Sequence, residues 1–164
     1  MYQQQSQPYE NLHHAVRDGA ARAVAVVGLS GVALIHLLDL PGKFSEAPYL
    51  GWMYIALMIG CVLTASALIG SGHRLAWLAA CALPAGAIAG SVLTRTTGLP
   101  QATGDIGNWT EPLGLASLFV EGSLVALAGA VLALRPAVVP VPRAASEART
   151  QRAPRAMRSP ETIR

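Results

Sequence analysis

The chain has 164 residues, of which 52% are hydrophobic and 13% charged, whereas a soluble domain carries roughly a quarter charged residues, so an ordinary soluble globule is excluded. The net charge is +3, but seven of the twelve basic residues lie at or after Arg135, so the basic balance describes a tail and not a nucleic-acid-binding fold. Cys61 and Cys81 stand singly in apolar stretches with no CxxC or Cys/His spacing, which excludes a zinc or dithiol motif.

Residues 1–18 are polar and Gln-rich, with no apolar core followed by an Ala-x-Ala site, so no cleaved leader is expected. A spanning helix needs about 20 apolar residues, because the hydrocarbon core is roughly 30 Å thick and a helix rises about 1.5 Å per residue. Four stretches meet that length, at about 21–38, 49–69, 75–94 and 113–134. Pro and Gly punctuate their ends, at Pro41-Gly42, Gly70-Ser71-Gly72, Gly98-Leu99-Pro100 and Arg135-Pro136. None has the polar stripe of a soluble amphipathic helix. The expected architecture is all-α: a single membrane domain over 19–135, a four-transmembrane-helix bundle with an ordered outer loop and disordered termini.

Orientation follows from the basic residues flanking the spans. Arg17 and Arg22, then Arg74, then the Arg-rich tail all fall on one side, which the positive-inside rule places in the cytoplasm. The outer connections hold Lys43 against Asp39 and Glu46, and Arg95 against Asp105 and Glu111. A plasma-membrane protein with both termini cytoplasmic is expected. Tyr49, Trp52 and Trp109 mark the outer boundary and Trp77 the inner one. The Pro/Ala/Arg-rich tail, 136–164, lacks the large apolar residues needed to fold, and its arginines would attract anionic lipid head groups.

Lipid gives little drive for helix association, so small residues are expected where helices approach closely. Candidate stripes are Ala56, Gly60 and Thr64 in the second helix, Gly86 and Gly90 in the third, and Gly122, Ala126 and Ala130 in the fourth. Pro84 should kink the third helix. Cys61 and Cys81 come out at similar depth, as neighbouring thiols or simply as two small buried ones.

An ionisable side chain at the membrane centre costs at least about 2.5–3.5 kcal/mol. Glu121 accepts that cost, about 12 Å into the fourth helix. His36 lies near the outer end of the first helix, with Asp39 at i+3 on the same face. Arg95 closes the third helix. Glu111 precedes Pro112, the pattern of an acidic helix start, and its capping role competes with a site role. These five residues, His36, Asp39, Arg95, Glu111 and Glu121, all fall in the outer half. Ser117 and Gly114 precede Glu121 on one small or polar face. His36 and Glu121 are the best candidates for a metal, though no cofactor follows from the sequence. The third loop is too long for a minimal connection, and its Gly, Pro and Trp content suggests an ordered cap.

The pattern His36, Arg95-Thr-Thr-Gly98-Leu99-Pro100, Trp109-Thr-Glu111-Pro112-Leu-Gly114 and Glu121 resembles that of small, uncharacterised actinobacterial four-helix integral membrane proteins. The resemblance spans the four helices and not the tails, and it implies no activity. Three functions remain. The first is an accessory or structural subunit of a membrane assembly, with a membrane protein partner or a second copy and with Glu121 paired to Arg95 or to a partner helix. The second is an ion-, metal- or proton-binding site in the outer half of the bundle. The third is an oligomeric small-solute transporter. No nucleophile-and-base pair and no four-His set for two haems is present, so an enzyme is not expected.

Overall fold

A computed structural model describes residues 6–134, with side chains from Leu12 onward. The tail 136–164 and its proposed contact with lipid head groups lie outside the described residues. Four helices follow in order: α1 (Ser6–Glu46), α2 (Pro48–Gly70), α3 (Arg74–Thr96) and α4 (Pro112–Leu134). No strand occurs among the described residues. Each helix is long and apolar enough to cross a membrane. Their outward faces are apolar: Val27, Val62, Leu63 and Phe119 are exposed, Phe119 by 75%. An exposed apolar belt of this extent would be an aggregation hazard in water and is the normal contact surface in lipid. The chain is a multi-pass membrane protein.

The expected second, third and fourth spans match α2, α3 and α4 to within two residues. The first does not end at Pro41-Gly42; α1 begins at Ser6 and continues to Glu46, with Pro41 inside it. Proline removes one backbone donor. The last turn beyond it is held by side chains: Ser45 Oγ donates to the Gly42 carbonyl, and Lys43 and Glu46 pair one turn apart. At roughly 1.5 Å per residue, 41 residues extend about 60 Å, twice the hydrocarbon thickness. The N-terminal turns of α1 therefore project beyond the spans. The chain reverses at the single residue Ala47, which is extended, and Pro48 opens α2. This corner closes because the Phe44 ring lies against Gly51: a Cβ there would come within 2.5 Å of the ring.

The helices form an antiparallel ring in which α1 packs on α2 and α4, and α3 packs on α4 and α2. The α1–α3 diagonal touches briefly and α2 does not meet α4. The half of the bundle on the side of the α2–α3 turn is a core of Ala25, Leu29, Val32, Leu68, Trp77, Ala80, Leu124 and Ala128. Cys61 is buried in it and Cys81 packs against it, both as free thiols. At the α2–α3 turn, Gly72 has a left-handed φ of +56° and the Arg22 side chain lies where a Cβ would stand. Glycine answers both demands there. Arg22 also pairs with Asp18 at 2.5 Å.

The small-residue stripes are only partly the contact faces. Gly60 takes Leu83 of α3, with an added Cβ 3.1 Å from it, and Thr64 is buried, but Ala56 is exposed. On α4 the buried stripe is Ser117, Glu121, Leu124 and Ala128, while Ala126 and Ala130 face outward. A Cβ at Gly86, Gly90 or Gly122 would meet nothing within 4 Å. Small residues permit close approach but do not compel it, and the larger side chains beside them decide which face turns inward. Pro84 is buried within α3, which continues through it.

Candidate functional site

At the end of the bundle away from the α2–α3 turn, the four helices meet under the α3–α4 loop, which is ordered by specific bonds. Leu99 and Ala102 exchange backbone hydrogen bonds, and the Gly107 amide donates to the Arg95 carbonyl at 2.9 Å. Tyr49 Oη donates to the Pro100 carbonyl and Lys43 Nζ to Asp105 at 2.6 Å, tying the loop to α2 and α1. Ala102 and Leu99 pack on Ala47 and Leu50 as a small second core. The expected cap over the bundle is present.

Beneath the cap is a cavity of about 450 Å³. All five residues singled out in the sequence line it: His36 and Asp39 from α1, Arg95 from α3, Glu111 at the start of α4, and Glu121 within it. Lys43, Tyr54, Ser91, Asp105 and Ser117 line it too. The glycines Gly86 and Gly90 form part of its wall, which is why no neighbour fills the space above them.

Glu121 is 1% exposed. Ser117, one turn earlier on α4, donates to Glu121 Oε1 at 2.7 Å. His36 Nε2 lies 3.7 Å from the same oxygen. Glu121 Oε2 has no hydrogen-bond partner among the described residues. His36 is 7% exposed. Its Nδ1 is 2.9 Å from the Val32 carbonyl. A carbonyl only accepts, so Nδ1 carries a proton and a neutral His36 presents a bare Nε2 to Glu121. The two groups can thus share one proton, held either as the imidazolium or as the carboxylic acid. The His36 ring also meets the Tyr54 ring edge-on at 4.6 Å between centroids, and Tyr54 Oη donates to Asp39 at 3.1 Å.

Arg95 is not the partner of Glu121. Its Nη2 bonds Glu111 at 3.2 Å, its Nη1 bonds Ser91 Oγ at 2.6 Å, and its Nε bonds the Asn108 carbonyl at 2.9 Å. The geometric reason is Gly114, two residues into α4, whose missing Cβ leaves the space that the guanidinium occupies. Glu111 stands immediately before α4, and its carboxylate pairs with Arg95 at 3.2 Å. Lys43 is likewise committed, to Glu46 at 2.9 Å and to Asp105.

Lys43, Tyr54 and Asp105 were not singled out as site residues in the sequence. Lys43 was read as a boundary charge. Tyr54, on the wall of the second span, has no spacing signal, because its neighbours Asp39 and His36 belong to another helix. Among the described residues no group of three or more His, Cys, Asp or Glu side chains is placed to hold a metal ion; His36 and Glu121 come together as a pair only. No family model, curated protein or solved structure matches this chain.

Proposed function

We propose that this protein is a plasma-membrane protein, with both termini cytoplasmic, whose outer half-bundle is a binding site for a proton or small cation. One observation carries the reading: a carboxyl group 1% exposed, with Oε2 unpartnered among the described residues, stands on the wall of a cavity with His36 Nε2 3.7 Å from its Oε1. Buried ionisable groups in a membrane bundle are costly and mark ion or proton sites by default. A role as an accessory subunit, or as one copy in an oligomeric pathway, would use the lipid-facing surfaces. Neither role needs a cavity inside one copy. The orientation is supported by the charge placement: Lys43 and Arg95 stand on the side assigned to the exterior, while Arg17, Arg22, Arg74 and the seven arginines from Arg135 onward flank the other.

Infrared titration of the full chain in detergent tests the site. A protonated-carboxyl band that titrates with pH, vanishes in Glu121→Gln and moves in His36→Ala is the expected result. Identical spectra for the unaltered protein and Glu121→Gln across the pH range would remove the reading.

A further inference from the structure

The charge inventory of the cavity names the class of ligand. Its lining carries four carboxylates, Asp39, Asp105, Glu111 and Glu121, against two permanent cations, Lys43 and Arg95. Lys43 is taken by Asp105 and Glu46, and Arg95 by Glu111. Among the described residues, Asp39 and Glu121 are left without a permanent counter-charge: Asp39 receives the Tyr54 hydroxyl, and Glu121 the Ser117 hydroxyl with His36 Nε2 at 3.7 Å. The site therefore has more carboxyl groups than permanent cations, with Glu121 fully buried on one wall and Asp39 half-buried.

Beyond these and the polar groups of His36, Tyr54, Ser91, Thr94 and Ser117, the lining is apolar. Ile35, Leu50, Leu57, Leu83 and Leu113 supply walls without donors. A volume of about 450 Å³ lies within the roughly 300–1,000 Å³ range of small-molecule sites. A bare metal ion would leave most of that space empty and would find no third ligand. The Tyr54 ring adds an aromatic surface, which attracts a cation within about 6 Å of its centroid. Met53, Ala56, Ala82 and Gly86 line the cavity and are also exposed. The cavity thus reaches the bundle surface between α2 and α3, where small side chains leave a passage to the lipid. A ligand entering there must itself be lipophilic.

We propose that the cavity binds a monovalent organic cation with an apolar body, its charge set against Glu121 and Asp39 and its body against the aliphatic walls. This rests on the reading of the cavity as a cation or proton site and supplies its ligand class. The groups that face Glu121 are His36 from α1, Cys61 from α2 and Arg95 from α3. Of these, Arg95 is neutralised by Glu111, and the His36–Glu121 pair holds the exchangeable proton. With one proton the pair is neutral; with none it is negative. Binding a cation therefore expels that proton, and affinity falls by up to tenfold per pH unit as the solution is acidified through the pair's titration.

The test is equilibrium binding of tetraphenylphosphonium to the full chain in detergent, with tetraphenylborate as an anion of the same shape. Saturable one-site binding of the phosphonium is expected, weakening on acidification. Truncating one partner of a buried charge pair is expensive, so Glu121→Gln should weaken binding roughly thirtyfold or more. Asp39→Asn, at the half-buried second carboxyl group, should weaken it severalfold and serves if Glu121→Gln does not fold. Tetraphenylborate should show no binding that depends on either residue. Equal binding of both ions, or phosphonium binding indifferent to both substitutions, overturns the proposal. If neither ion binds while the Glu121 carboxyl band still titrates, the organic-cation proposal falls and the proton site stands. If neither ion binds and no band titrates, both fall.

Discussion

Replacing Gly114 by alanine turns the Arg95 network into a measurable sign. In an ordinary helix, Gly→Ala is stabilising by up to about 1 kcal/mol. At Gly114 the new methyl lands on the Arg95 guanidinium and 3.3 Å from Glu111 Oε2. A long arginine would normally swing away at little cost, but this one is held at Ser91, Asn108 and Glu111 and is only 8% exposed. Moving it forfeits at least the Nη2–Glu111 bond. A hydrogen bond to a charged group is worth about 1.5–3 kcal/mol, and Glu111 is partly solvated, so the lower figure applies. After the helical gain is subtracted, Gly114→Ala should destabilise by about 0.5–1.5 kcal/mol. Reversible unfolding in mixed detergent micelles, followed by tryptophan fluorescence, measures this. The decisive comparison is the same substitution in an Arg95→Ala background, where the clash is gone and alanine should stabilise. If Gly114→Ala stabilises the protein with Arg95 intact, the guanidinium does not occupy that space and the outer network is wrong.

Two further outcomes follow from the same geometry. Gly51→Ala should cost about 1–3 kcal/mol by overpacking, because the Phe44 ring is rigid and within 2.5 Å of the new Cβ. Gly86→Ala should be neutral or slightly stabilising, having nothing within 4 Å; equal costs for the two in the unfolding assay would contradict the packing. Topology is checked by single cysteines placed in a Cys61→Ala, Cys81→Ala background. Asn108→Cys should react with a membrane-impermeant maleimide on intact cells, and Ser71→Cys only after permeabilisation; the reverse pattern would invert the proposed orientation.

Much of the site was visible residue by residue. His36 and Glu121 stand out because an ionisable group inside an apolar run has a cost that no local rule offsets. Their partners did not stand out. Glu121 was open to pairing with Arg95, which lies in the same half of the membrane, but Arg95 is drawn to Glu111 by the gap at Gly114. The choice depends on the rotation of α3 against α4, and rotation has no signature in a helix that is apolar all round. The glycine stripe of α3 failed as a packing signal for the same reason: Gly86 and Gly90 open a cavity where a contact was expected.

The sequence by itself determined that there are four long apolar helices, where α2, α3 and α4 begin and end, that an ordered loop covers one end, and that the costly residues share that end. These follow from hydropathy, Pro and Gly positions and charge placement, all of which are local. Tertiary structure decided that α1 runs past Pro41 to Glu46, that Lys43 and Arg95 are spent on Asp105 and Glu111, and that Glu121 faces His36 across a cavity. Those outcomes depend on which helix faces meet. In a chain whose spans are apolar on every side, only the packed bundle selects among them.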